Sequence, residues 1–125
     1  MENRELIILN CFQSWLEKNE SKFKKCFSID ALYIESWGPA YHTLKDITCW
    51  FCEWNTDNVV LQWDIKRFWH ENDISICEWY VKCKCNGEID GFDGVSIIQF
   101  DDSNRIVWLK EFQSKTPNCY PYEIK

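Results

Sequence analysis

Leu6, Leu9, Phe12 and Leu16 recur every three or four residues with polar and charged residues between them, the spacing of one face of an amphipathic helix. This predicts a helix ending near Asn19 and a second, short one over Ser21–Phe27. Asp30 then precedes an extended segment, Leu32–Ser36, which stops at Gly38-Pro39 because proline lacks a backbone donor and disfavours helix in the residue before it. Thr43-Leu-Lys-Asp46 has the form of a capping box, and Ile47, Trp50, Phe51 and Trp54 follow at the i, i+3, i+4, i+7 spacing of one helical face, so a helix is expected from about residue 43 to Asn55. Beyond it the period changes to two. Val59–Ile65 alternates, Glu71-Asn-Asp73 supplies turn residues, and Ile74–Cys85 continues with β-branched and aromatic side chains, as strands do. Asn86-Gly87 is a strong turn signal. Phe92–Phe100 and Arg105–Phe112 read as two more strands around the Asp101–Asn104 turn, and the tail from Thr116 to Lys125 reads as irregular.

Helices followed by a run of long strands describe an α+β fold with helices on one face of a curved antiparallel sheet. At 125 residues the chain falls in the size range of one domain and can bury roughly two thirds of its unfolded surface. Eight Trp, five Tyr and eight Phe exceed what such a core needs, so rings are left to line a ligand cavity or a subunit interface.

The net charge of −6 and pI near 4.9 oppose a phosphate-tracking surface, which rests on Lys and Arg. Nucleic acids and anionic membranes are not expected partners. Met1-Glu-Asn-Arg-Glu5 lacks the basic start and apolar run of a signal peptide, and no stretch approaches membrane-spanning length, so a cytoplasmic location is expected. In a reducing compartment the eight cysteines behave as small hydrophobes. Cys49-x-x-Cys52 with Cys83-x-Cys85 has the outline of a redox pair or a four-thiolate zinc site. Placement of the first pair within an apolar helix and the second on a strand favours structural thiols, and no metal or cofactor is expected.

The order of these elements, with the strings Ile29-Asp-Ala-Leu-Tyr-Ile-Glu35, Thr43–Trp54, Phe92–Phe100 and Arg105–Phe112, resembles the SnoaL-like branch of the nuclear transport factor 2-like superfamily from Leu6 to about Ser114. The resemblance implies a cone-shaped α+β fold whose open end holds a ligand, and a homodimer formed through the outer sheet face. It aligns Glu35 with the general base of ketosteroid isomerases. The positions of that enzyme's oxyanion donors fall near Cys11 and Phe12 and near Ser96, none a comparable donor, although such donors supply a large electrostatic term.

Glu35 is therefore either a general base raised by an apolar pocket or a salt-bridged strand residue, with Tyr33 or Glu78 assisting it in the first case. Glu78 shares strand parity with Ile74, Ile76 and Tyr80, and Glu111 with Val107 and Leu109, which points both acids inward unless a bulge turns one of them out. Trp37, Tyr41, Trp54 and Trp79, with Trp50, Trp63 and Trp69, are candidate walls for a small apolar or cyclic molecule; the spacing of Trp50 and Trp54 is already explained by helix packing, which is the favoured reading for that pair, and the outer face is the competing explanation for Trp63 and Trp69. His70 at a strand end and Asp93 before Gly94 are further ligand-binding candidates, read otherwise as a solvated turn residue and a bulge former. No nucleophile elbow, phosphate loop or metal-type His pair is present. Two readings result: a small-molecule-binding protein acting as an acid/base isomerase or cyclase, or a non-catalytic dimeric binding module.

Overall fold

The computed structural model describes residues 3–123; Met1 and Glu2 of the expected leaderless start, and Ile124 and Lys125 of the expected irregular tail, lie outside them. Helix α1 spans Asn3–Glu17. Its buried row is Ile8, Cys11, Phe12 and Trp15, while Leu6 and Leu9 remain 47 % and 43 % exposed. Both rows have helical spacing, and the one carrying the larger rings faces inward, since rings remove the most apolar surface from water. Lys18 ends the helix in the left-handed region at φ 53°, with the Asn19 amide donating to the Ser14 carbonyl at 2.9 Å. Asn19 then caps α2, Glu20–Lys24, its Oδ1 accepting from the Lys22 amide at 3.0 Å.

The second helix is shorter than the Ser21–Phe27 expectation because Phe27 starts β1, Phe27–Ile34, where the Ile106 amide bonds the Cys26 carbonyl at 2.9 Å. A short strand absent from the sequence pattern, β2 (Ala40–His42), folds back on β1. Gly38, at φ 122°, makes that reversal, and the Glu35 amide donates to the Pro39 carbonyl at 2.8 Å. Helix α3, Leu44–Asp57, follows Thr43 as its N-cap, and β3 (Val59–Glu71), β4 (Ile74–Cys85), β5 (Glu88–Phe100) and β6 (Ile106–Thr116) complete the chain. Asn86 and Gly87, at φ 55° and 81°, form the tight β4–β5 turn that their sequence predicts.

The six strands form one sheet in the order β2-β1-β6-β5-β4-β3. All pairings are antiparallel except β1 with β6, which is parallel, a refinement of the all-antiparallel expectation. Register shifts within β3 and between Phe27 and Leu32 bend the ladder, as bulges do, and the helices fill the concave side. On that side β4 contributes Ser75, Cys77, Trp79 and Val81, and β5 contributes Ser96, Ile98 and Phe100. The inward expectation for Glu78 is therefore corrected. Ile74, Ile76 and Tyr80, which share its parity, lie only partly buried on the convex face; both faces of this strand carry apolar residues, so parity with isoleucines did not identify the core side.

Trp15 joins the layers. Its ring meets Phe23, Trp50, Phe51 and Trp54 edge-on at centroid distances of 5.5, 5.1, 4.6 and 5.5 Å, the geometry favoured by ring quadrupoles. Burying about 200 Å² of such a ring contributes up to about 5 kcal/mol by area. Phe12 stacks on Trp63 at 4.1 Å, tying α1 to β3.

Candidate functional site

Between the helices and the far end of the sheet lies a cavity of about 250 Å³. Tyr33 and Glu35 share one parity of β1 and its extension, and β6, running parallel beside β1, brings Glu111 next to them. The Tyr33 hydroxyl donates to Glu111 Oε2 at 2.5 Å. Tyr41, on β2, donates its hydroxyl to Glu35 Oε2 at 2.7 Å and stacks on Trp50 at 4.6 Å, 11° from parallel. Each carboxyl is thus held by a phenol.

Burial, with Tyr33's hydrogen bond opposing it and the nearby Glu35 charge adding to it, pushes the Glu111 carboxyl up to about 7. Burial likewise raises Glu35, against the donors of Tyr41 and Trp37. Both phenols are raised, Tyr33 and Tyr41 each mainly by burial and then by the neighbouring acids, so they remain protonated donors at neutral pH. A carboxyl that titrates near neutrality beside a second carboxyl can take up and return a proton on a bound molecule.

Of the sequence candidates, Tyr33, Glu35, Glu111, Trp37, Trp50, Trp54 and Trp63 line the cavity, and Tyr41 supports Glu35 from behind. Five do not join them, Trp69 among them, which borders a hollow on the convex face. Glu78 lies on the convex face, where Arg67 Nε pairs with it at 2.7 Å. Asp93 pairs there with Lys66 at 3.1 Å, sharing its strand's outward parity. His70, near the end of β3, is engaged by Ser75 Oγ at 2.7 Å and Glu5 at 2.8 Å. Trp79 is only 1 % exposed and is a core residue, its indole N–H donating to Ser96 Oγ at 2.9 Å. That bond also occupies the side chain at the second expected oxyanion position.

Pattern reasoning missed Trp15, Phe92, Cys83 and Gln113, which also line the cavity. Cys83 continues the Cys77-Trp79-Val81 parity, and that signal was available once the core side of β4 was known. Cys83 and Cys85 approach to 3.9 Å, sulfur to sulfur; burial, then Cys85, pushes the Cys83 thiol up to about 12, away from the thiolate that metal binding and nucleophilic attack require. Cys49 and Cys52 are exposed on α3, their thiols donating to Glu53 at 3.3 Å and Glu20 at 3.2 Å. Among the described residues no three His, Cys, Asp or Glu side chains are grouped to hold a metal, and no helix is long and apolar enough to cross a membrane. Among the described residues the indole N–H groups of Trp15 and Trp63 have no oxygen or nitrogen partner; the faces of the surrounding rings are the acceptors at hand.

A bent sheet wrapped over helices, with an acid-bearing cavity at its open end, defines a cone-shaped α+β class. No family model and no curated protein matches the sequence. Solved structures match it in shape. A hypothetical protein with a ketosteroid isomerase-like fold from Catenulispora acidiphila, in complex with trimethylamine, superposes with a TM-score of 0.76 at 14 % identity over 85 % of this chain and 83 % of that one. An epoxide hydrolase from M. tuberculosis gives 0.79 at 9 % identity over 89 % and 82 %, and a candidate SnoaL-like polyketide cyclase from Shewanella denitrificans gives 0.74 at 12 % over 91 % and 92 %. The chain has the nuclear transport factor 2-like cone fold, in the form shared by SnoaL-like and ketosteroid isomerase-like proteins. The fold expectation drawn from the resemblance holds.

Proposed function

We propose that the chain is a single small-molecule-binding domain of SnoaL-like type, spanning residues 1–125, whose two cavity carboxyls move a proton on a compact, cyclic, largely apolar molecule. The observation that carries this is the meeting of Glu35 and Glu111, each held by a tyrosine hydroxyl, in one aromatic-walled cavity. The trimethylamine complex of the Catenulispora protein supports a cone of this shape admitting a compact organic molecule. In the step envisaged, a carbon–hydrogen bond beside a ring carbonyl breaks and its proton passes to the Glu35 carboxylate. The electron pair forms the enol double bond, and protonated Glu111 gives its proton to the carbonyl oxygen. Return of the two protons completes an isomerisation or exchange.

The probe is cyclohexanone bearing two methyl groups on the carbon opposite the carbonyl, incubated in deuterium oxide and followed by NMR for exchange at the carbons beside the carbonyl. Wild type is expected to exceed the buffer rate. Glu35→Gln should lower the enzymatic rate by about 10²–10⁴-fold, the usual contribution of a positioned base, and Glu111→Gln should remove the inflection near pH 7 that Glu111 imposes. A ketone that binds yet exchanges only at the buffer rate would sink the acid/base reading and leave the second one, a non-catalytic dimeric binding module. Trp69 and Phe112, 48 % and 44 % exposed around one convex-face hollow with Val95, support a homodimer through the outer sheet face. Eight free thiols fit a cytoplasmic, reducing location.

A further inference from the structure

No cation among the described residues answers the two acids of the cavity. Among the described residues no ion pair engages Glu35 or Glu111, and no Lys, Arg or His lines the cavity. Each carboxyl accepts a phenolic hydrogen bond at Oε2, and Trp37 is a further, uncharged donor to Glu35. Carboxylates withdrawn from water are costly unless a positive partner reaches them. The remaining walls are dominated by rings, including Trp37, Trp54, Trp63 and Phe92, whose faces carry negative potential.

We propose that this cavity selects an organic cation, an alkylammonium or quaternary ammonium centre on an otherwise apolar molecule. The inference rests on the small-molecule reading of the same cavity and adds the charge of its occupant. Ring faces attract such a centre through their quadrupoles, while Glu35 and Glu111 supply the counter-charge. A bare metal ion does not fit, because the described residues offer no group of three ligating side chains. An anion would meet two acids and no donor cation. The groups facing Glu111 are Tyr33 and Glu35 from β1 and its extension and Cys11 from α1; none is cationic, so a bound ammonium centre favours the ionised form of Glu111 and expels its proton.

The experiment compares two isosteres by calorimetry and tryptophan fluorescence on the wild-type chain: the dimethylcyclohexanone above, and the same ring with quaternary nitrogen in place of the dimethyl carbon. The cation is expected to bind at least about tenfold more tightly, the scale of a desolvated cation–π contact. At pH 6.5 its binding should release protons, seen as a heat that depends on the buffer's ionisation enthalpy. The Glu35→Gln, Glu111→Gln double variant should lose that preference and the proton release while still binding the neutral ring. Equal affinity of wild type for the two rings would overturn the cation proposal but leave the pocket reading standing. Binding of neither ring would overturn both.

Discussion

Glu111 is a buried carboxyl whose titration couples the stability of the fold to pH. Its folded carboxyl titrates near 7 and an exposed one near 4.5, so between these values the folded state holds a proton that the unfolded state has released. Stability contributed by this group is therefore greatest below about pH 4.5 and falls as pH rises towards 7. Above that window the loss is on the order of 3 kcal/mol. Urea unfolding should show Glu111→Gln more stable than wild type at pH 8, with the advantage gone at pH 4.5; an equal difference at both values would contradict the assignment. Gly94 is a second sensitive position, because a β-carbon there would overlap the six-membered ring of Trp79 and stand 2.7 Å from the Phe112 carbonyl oxygen. With Trp79 sealed in the core, Gly94→Ala should cost about 1–3 kcal/mol and lower Tm by several degrees. At this scale Glu111 was legible through its parity with the buried Leu109, and Glu35 through the family resemblance. Parity misled for Glu78, whose apolar parity partners belong to the outer face, and the sequence misled for Asp93, which also faces outward while its neighbour Gly94 faces Trp79; the ion pairs with Arg67 and Lys66 came from a different strand.

The elements are set by caps and turns that the chain announces locally. Thr43 caps α3, yet it sits at φ 79°, ψ 149°, a region that β-branched residues rarely occupy and that costs on the order of 1–3 kcal/mol. Its side chain gives little in return, with a long 3.4 Å contact from the Asp46 amide. Glycine serves nearly as well as an N-cap, so Thr43→Gly should raise stability by about 1 kcal/mol; a loss in thermal unfolding would show that the cap outweighs the strain. Helix α3, β4 and the Asn86-Gly87 turn were legible because periodicity and turn chemistry are local. The outer ends of β3, β5 and β6 were not. Phe68–Glu71, Glu88–Gly91 and Gln113–Thr116 are held as strand by ladder partners such as Phe68↔Cys77, Lys82↔Gly91 and Gly91↔Thr116, contacts that no window along the sequence contains. The same holds for β2, whose pairing with β1 brings Tyr41 to Glu35.

For the whole molecule, the change from helical to strand period was enough to define an α+β fold and the family resemblance supplied the cone, whereas the parallel β1–β6 contact that joins Tyr33, Glu35 and Glu111 required the tertiary fold. The proposed homodimer belongs to this scale as well. Sedimentation of the wild type should give twice the 15.1 kDa chain mass, and Phe112→Glu, which sets a charge in the exposed apolar hollow, should return it to the monomer; a wild-type monomer at high micromolar concentration would remove the outer face as an interface. The proposed chemistry requires an acid in the cavity poised for proton transfer. Carboxyl-carbon NMR of the labelled protein, with Glu111→Gln to assign the resonance, measures this most directly. A Glu111 midpoint near 7 is the predicted result, and a midpoint near the ordinary 4.5 would contradict it.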